Sequence, residues 1–324
     1  MQWLKKLRNN SYLKYKRKAE LNQGIDLDKI LKMGVFWMAL EGIHPHFFKN
    51  NTLRETAEHL IKFSLRLDKS ENFELSKIKI KPEDLDKIFE NFEKRIEQRL
   101  PVEYITQEAW YFGNFFHVNP HVLIPRSIMA TRFEDFLSEI QWQNYRVLDL
   151  CTGSGCIGIS LALMHPKLKI DLLDISEAAL AIAQKNINYY NLQDRVKIIQ
   201  SNLFENLNPE NPGQQYDFII SNPPYVPMSE YQKIPAEFKQ EPKMALEAGI
   251  DGLNIIDKIL EQAGNFLNPT GQLIVETGFT TAKKIKKKYK HLNLSWFKYR
   301  HPQGKESIWG MDGIFKCPAQ NLKT

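Results

Sequence analysis

Arg146-Val-Leu-Asp-Leu-Cys-Thr-Gly-Ser-Gly-Cys156 is the stretch that settles the architecture of this chain. A short apolar run carries an acid, Asp149, near its end, and a loop with Gly153 and Gly155 then opens a second apolar run. Glycine lacks a Cβ, so the backbone turns sharply there and can approach a ligand closely. Downstream, short hydrophobic segments alternate with longer amphipathic ones. Strands are predicted at 146–150, 168–173, 195–200, 216–221 and 271–276, and helices at 155–164, 176–190, 252–266 and 279–288. Such alternation specifies an α/β fold whose parallel sheet is covered on both faces. Two further strands, near 294–300 and 306–316, are expected to form an antiparallel edge.

Upstream the texture differs. Residues 1–100 read as a helical domain. Asp26 to Leu40 opens with acids suited to a helix amino terminus, and Thr52 to Leu67 sets Leu53, Ala57, Leu60, Ile61 and Leu65 on one stripe. A third helix starts at Pro82-Glu83-Asp84 and repeats Leu85, Ile88, Phe89, Phe92 and Ile96 at three- and four-residue steps until Pro101 stops it. Residues 101–126, aromatic and β-branched around Gly113 and Asn114, are expected to be a β-hairpin linker. Residues 127–324 then form the α/β domain, entered by a helix over Ile128–Leu137.

The bulk numbers agree with two globular domains. The chain has 324 residues, 43% of them hydrophobic and 25% charged, more than one compact core usually takes up. Its longest uninterrupted apolar run, Val35 to Leu40, falls far short of the roughly 20 residues of a membrane helix. The basic start MQWLKKLRNNSYLKYKRK has no apolar core or cleavage site of a signal peptide, so a cytoplasmic protein is expected. Cys151, Cys156 and Cys317 make no disulfide framework and no zinc pair. The net charge of +6 is compatible with an RNA-rich partner without requiring one.

Four stations carry chemistry. At the glycine loop, Gly153, Gly155 and Gly158 formally match a dinucleotide fingerprint. The Asp149 carboxylate would repel a pyrophosphate, whereas a sulfonium cofactor bearing an α-amino group would welcome it. Asp174, 21 residues beyond Gly153, stands where an acid accepts hydrogen bonds from ribose hydroxyls, or caps the following helix. Ser201-Asn-Leu-Phe204 follows the next strand, where Asn202 can bond an adenine edge and Leu203 or Phe204 can cover its face. Ile219-Ile-Ser-Asn-Pro-Pro-Tyr-Val226 ends the fourth strand.

That last motif decides the chemistry. The lone pair of an amide nitrogen is delocalised into its carbonyl, so the nitrogen is a poor nucleophile until acceptors hold its N–H bonds and let it pyramidalise. Asn222 offers a side-chain carbonyl, Pro223 a backbone carbonyl without a competing N–H, Pro224 a stiff turn and Tyr225 a flat face for a planar acceptor. The gain would come from positioning and electrostatics rather than proton transfer.

With these residues the chain resembles the amino-nitrogen methyltransferases, which have a Rossmann-like, class I fold with a seven-strand, mostly parallel sheet. More narrowly it is similar to the bacterial protein-(glutamine-N5) methyltransferases, which combine a helical amino-terminal domain, a hairpin linker and a catalytic domain. The resemblance runs from about residue 80 to residue 276. Glu108-Ala-Trp-Tyr-Phe-Gly113, Ile124-Pro-Arg-Ser127 and Ile234-Pro-Ala-Glu-Phe-Lys-Gln-Glu-Pro242 look like the branch acting on large-subunit ribosomal protein three. The release-factor branch has Pro-Glu-Thr where this chain has Ser127-Ile-Met. The resemblance implies that S-adenosyl-L-methionine is the cofactor, served by Asp149, Gly153, Gly155, Asp174, Asn202, Leu203 and Phe204. It also implies that Asn222 and Pro223 hold a glutamine amide, with Pro224 and Tyr225 completing the catalytic loop and Asn222 also touching the cofactor. The helical domain would dock the protein substrate. Asn202 departs from the family, which more often has Asp there.

The alternatives are glutamine methylation of peptide chain release factors, adenine N6 methylation of nucleic acid, and a cofactor-binding assembly chaperone. Against nucleic acid, only about 100 residues follow Tyr225 and most of them finish the sheet, which leaves little for a domain that reads a flipped base. The run Lys283 to Lys290 reads as a solvated helix face with a weak ribosomal RNA contact as its functional reading. His44-Pro-His46 lacks further ligands nearby, and no metal is expected. Cys151 and Cys156 are expected to be packing residues.

Overall fold

The computed structural model describes residues 2–20, 26–43, 52–67, 80–133, 144–298 and 313–322. The chain divides into two compact units: Met1–Gln107 together with Pro235–Gln240, and Glu108–Ile234 together with Glu241–Thr324.

The first unit is helical. It holds α1 (Gln2–Glu20), α2 (Leu27–Leu40), α3 (Leu53–Ser64), α4 (Pro82–Glu97) and the short α5 (Val102–Thr106). Asp26 caps α2 by accepting the Asp28 N–H at 3.1 Å, and Thr52 with Glu55 closes a capping box on α3. The apolar stripes meet in one core of Leu27, Ile30 and Leu31 from α2, Leu60 and Ile61 from α3, and Leu85, Ile88 and Phe92 from α4. Each such side chain contributes about 1.5–3 kcal/mol on full burial. Gly34 permits the close approach of α2 to α4, since a Cβ there would lie 2.6 Å from the Phe92 ring. Arg95, almost wholly buried, faces Glu237 of the inserted segment at 3.8 Å. Residues 102–106, expected to open the hairpin as a strand, instead wind into α5 behind Pro101, and the left-handed Gln107 (φ 57°) ends it.

The second unit begins with β1 (Glu108–Tyr111) and β2 (Asn114–His117), an antiparallel pair. Phe112 (φ 50°) and Gly113 (φ 75°) form its two-residue turn, both in the left-handed region that matches strand twist. Where a helix over 128–137 was expected, a 3-10 turn spans Ile128–Arg132, and 134–137 lie outside the described residues.

The large sheet follows the predicted alternation with small shifts at the ends. Its strands are β3 (Arg146–Leu150), β4 (Lys169–Asp174), β5 (Val196–Gln200), β6 (Tyr216–Ser221), β7 (Leu267–Thr277), β8 (Ser295–Lys298) and β9 (Gly313–Pro318). The intervening helices are α6 (Cys156–Met164), α7 (Glu177–Tyr189), α8 (Met228–Tyr231), α9 (Asn254–Gln262), α10 (Phe279–Lys288) and the terminal α11 (Ala319–Leu322). The strand order is β5-β4-β3-β6-β7-β9-β8; β3 to β7 run parallel, and β9 lies antiparallel between β7 and β8. The expected antiparallel edge is present, although residues 299–312, part of both predicted closing strands, lie outside the described residues. His44-Pro-His46 also lies outside them.

Two apolar layers cover the sheet. One contains Val147, Ile159, Leu172, Ile187 and Phe218, the other Leu148, Ile219, Ile256, Leu273 and Phe315. The direction of strand addition reverses between β3 and β6, and in such sheets ligands bind at the carboxyl ends of the strands beside the reversal.

Candidate active site

A cavity of about 770 Å³ opens at that reversal, within the range of small-molecule sites. Its wall takes Cys151 to Ser154 after β3, Asp174 and Ile175 after β4, Ser201 to Leu203 after β5, and Asn222 and Pro224 after β6. Residues His121 to Ser127, Pro242 to Ala245 and Glu247 to Gly249 add to it, with Cys156, Met228 and Asn254 among others.

The two glycines of the β3–α6 loop serve different ends. Gly153 has φ +56° and nothing within 4 Å of a would-be Cβ, so its backbone is bare toward the cavity. Gly155 has φ +81°, and a Cβ there would meet Ile159 Cδ1 at 2.9 Å and Leu172 Cδ1 at 3.0 Å. It stands behind the wall and lets α6 pack on β4.

Asp149 corrects the sequence reading. It was expected to face the cofactor, but it is fully buried and absent from the cavity wall. One carboxylate oxygen accepts the Thr152 hydroxyl at 2.6 Å and the Gly158 N–H at 2.9 Å. Strand alternation turns Asp149 inward, where it braces the loop against the first turn of α6. Burial raises its pKa to about 7, against the opposing pull of those two hydrogen bonds.

Asp174 does reach the cavity. Its Oδ2 accepts the Gly153 N–H at 2.9 Å and its Oδ1 the Ser176 N–H at 3.0 Å. The cap of α7 falls to Ser176, which accepts the Ala179 N–H at 3.2 Å. A carboxylate has about four acceptor positions, so Asp174 keeps capacity for a ligand's hydroxyls. Burial raises its pKa although backbone N–H groups favour the charged form.

Asn202 lies on the wall and donates to Glu205 Oε1 at 2.6 Å. Leu203, in the left-handed region at φ 50°, also reaches the wall. Phe204 does not: it stacks on Phe266 at 4.8 Å in the core, so Leu203 alone of the pair can cover a ring.

After β6, Ser221 donates to the Leu150 carbonyl at 2.7 Å and sets the level at which the chain leaves the sheet. Asn222 comes next on the cavity wall, its side-chain amide without a hydrogen bond among the described residues. Pro223 is buried behind it and Pro224 lines the cavity. Tyr225 was expected to show its ring to the acceptor; instead it packs against the apolar layer of Leu148, Ile219 and Leu273 and stays off the wall. Its carbonyl accepts the Thr281 hydroxyl at 2.8 Å, and a Cβ at Gly252 would come within 2.5 Å of that oxygen. Val226 is clamped to the 246–248 segment by two backbone bonds, 2.8 and 3.0 Å long. The motif is a rigid ledge that presents Asn222.

Sequence reasoning missed the braces of the far walls. Buried Asn186 on α7 donates to Ser154 O and His117 O and accepts the His117 N–H, tying the glycine loop to β2. Glu241 accepts from Arg126 at 2.7 Å and from the Ile124 N–H at 3.0 Å, and Glu276 accepts the Ser127 hydroxyl. A polar residue on the apolar stripe of α7 was the only signal for Asn186; the glutamates, more than a hundred residues from their partners, left none. Burial raises the pKa of Cys151 and Cys156, which keeps both as thiols. Among the described residues no cluster of His, Cys, Asp and Glu could hold a metal, and no helix is long and apolar enough to cross a membrane.

A seven-stranded sheet of this order, with a glycine loop, a strand-end acid and the Asn222 and Pro224 of Asn-Pro-Pro-Tyr around one cavity, defines a class I methyltransferase, an enzyme served by a methyl-donor cofactor. Residues 131–249 match the methyltransferase small domain family. The chain is 38% identical over 205 residues to the ribosomal protein uL3 glutamine methyltransferase of Bordetella pertussis, covering 62% of this chain and 67% of that protein. Its identity to the Burkholderia pseudomallei protein of the same name is 37% over 225 residues, covering 67% and 73%. Among solved structures, a methyltransferase from Pyrococcus furiosus aligns with a TM-score of 0.43 at 20% identity, over 62% of this chain and 87% of that one. The chain belongs to the family of ribosomal protein uL3 glutamine methyltransferases.

Proposed function

We propose that this protein transfers a methyl group from S-adenosyl-L-methionine to the side-chain amide nitrogen of a glutamine in ribosomal protein uL3, in the cytoplasm. The observation that carries the reading is the open Asn222 amide on the same cavity wall as Gly153 and Asp174. The residues fit the cofactor: Asp174 has acceptor capacity for ribose hydroxyls, Gly153 presents bare backbone, and Asn202 with Leu203 offers an edge and a face to adenine. When bound, S-adenosyl-L-methionine supplies an electrophilic methyl group. The chain's own part is to hold the acceptor. Asn222 takes one N–H of the glutamine amide on its side-chain carbonyl, which weakens conjugation and turns the nitrogen lone pair toward the methyl group. Pro223, behind the wall, fixes the turn; Pro224 limits the room beside the amide; Tyr225 anchors the ledge. The helical unit docks the protein substrate.

The test is a competition. The full chain is incubated with S-adenosyl-L-methionine labelled in its methyl group, uL3 and a peptide chain release factor in one tube, and the products are mapped by mass spectrometry. Label on a uL3 glutamine is expected. Label mainly on the release factor would overturn the substrate, and label on nucleic acid alone would overturn glutamine chemistry.

A further inference from the structure

Helix α10 carries a lysine face that the proposed chemistry does not use. Lys283, Lys286 and Lys287 recur at steps of three and four residues on one stripe of the helix, and Lys290 follows in the 3-10 turn just past its end. All four are exposed, and among the described residues no carboxylate pairs with them. Their neighbours are engaged otherwise: Lys288 meets Asp257 at 2.5 Å and Lys284 donates to the Asp251 carbonyl at 2.7 Å.

Two of these lysines are held by aromatic rings. Lys283 Nζ lies 4.0 Å from the Phe279 ring centre and Lys286 Nζ 4.5 Å from the Trp296 ring. Trp296 stands on β8, the outermost strand, tilted against Phe315 at 5.2 Å. A Cβ at Gly313 would come within 3.3 Å of it, so that glycine leaves the indole its seat. A carboxylate would neutralise a lysine. A ring orders the ammonium group while leaving its charge and most of its N–H donors directed outward.

We propose that this face binds the phosphate backbone of single-stranded RNA, an activity separate from methyl transfer and independent of the substrate proposed above. Four exposed charges clustered on one face give a single strand a row of phosphate contacts. Phe279 remains partly exposed at the end of the stripe, where a base can stack on it. A bilayer is a poor occupant, because the apolar side of α10 (Thr281, Ala282 and Ile285) is buried in the protein and has nothing to insert.

Fluorescence anisotropy of the full chain with a labelled RNA of about 12 nucleotides, within the roughly 4–16 nucleotides of single-strand sites, tests this across a salt series. The parent protein should bind, and Lys283→Gln/Lys286→Gln/Lys287→Gln together should weaken binding at least tenfold. The triple change should also flatten the salt slope by about 2, from about 0.7 for each lost phosphate contact on a single strand. The corresponding triple arginine variant should bind within threefold of the parent. An unchanged affinity in the glutamine variant, equal loss in the arginine variant, or binding to phosphatidylserine vesicles in place of RNA would overturn the proposal.

Discussion

Asn222 is held from behind by Pro223 and the Val226 clamp, so replacing its side chain changes little of its surroundings. Asn222→Ala should therefore lower kcat by about 10²–10³, the cost of one preorganised hydrogen-bonding group, while cofactor affinity measured by calorimetry changes little. More than a tenth of parental turnover would remove Asn222 from the chemistry. Asn202 shows how a neighbour revises a family comparison. The Asp that the family resemblance leads one to expect there would face Glu205, whose Oε1 receives the Asn202 amide at 2.6 Å. Asn202→Asp alone should weaken cofactor binding through like-charge repulsion, and adding Glu205→Gln should restore it; equal affinities for the two variants would show that Glu205 plays no part. Asp149 yields a pH prediction. Its pKa stands near 7 in the fold against 3.8 for an exposed carboxyl, so the folded state binds the extra proton and stability falls as pH rises through that window. The loss is at most about 1.4 kcal/mol per pH unit. Asp149→Asn carries no such proton. Its stability relative to the parent, from urea unfolding, should climb by on the order of 2–3 kcal/mol between about pH 5 and 7, and a flat difference would mean that Asp149 is ionised when folded.

Between β3, β4 and α6 the contact is so close that a methyl group decides it. A Cβ at Gly158 would lie 2.4 Å from Leu172 Cδ2 and 3.1 Å from Asp149 Oδ2. Gly158→Ala gains helix propensity but overpacks the layer, and a net loss of about 1–3 kcal/mol is expected. A thermal melt of the variant should show a lower Tm, and an unchanged Tm would mean that the helix shifts without cost. The periodicity of α6 and the strands around it was legible in the sequence because burial on both faces leaves near-continuous apolar runs. The segment at 102–106 was not: a five-residue piece of mixed apolar residues fits strand or helix equally until its neighbours choose.

Across the molecule the main consequence is the inserted segment. Pro235–Gln240 follows the Asn-Pro-Pro-Tyr ledge by only ten residues, yet it belongs to the helical unit, where Glu237 and Phe238 are buried. Deleting residues 1–107 removes the surroundings of that segment and also the proposed docking surface. The remaining chain should still bind S-adenosyl-L-methionine, since every residue of the cavity wall lies in the second unit. Methylation of uL3 should be lost through both kcat and KM, because remote binding energy aligns the amide. Undiminished kcat on uL3 would place substrate recognition wholly in the second unit.

By itself the sequence determined the succession of strands and helices and, at the strand ends, the residues that line the cavity: Gly153, Asp174, Asn202 and Asn222. These are local properties, written in periodicity and in residues whose backbone or side-chain chemistry suits few other places. Only the tertiary structure decided which side each side chain takes. It turned Asp149 under the loop, Phe204 onto Phe266 and Tyr225 against the core, and it brought Glu241 to Arg126 and Asn186 to Ser154. Facing and distant pairing depend on packing between segments far apart in the chain, and no spacing within one segment records them.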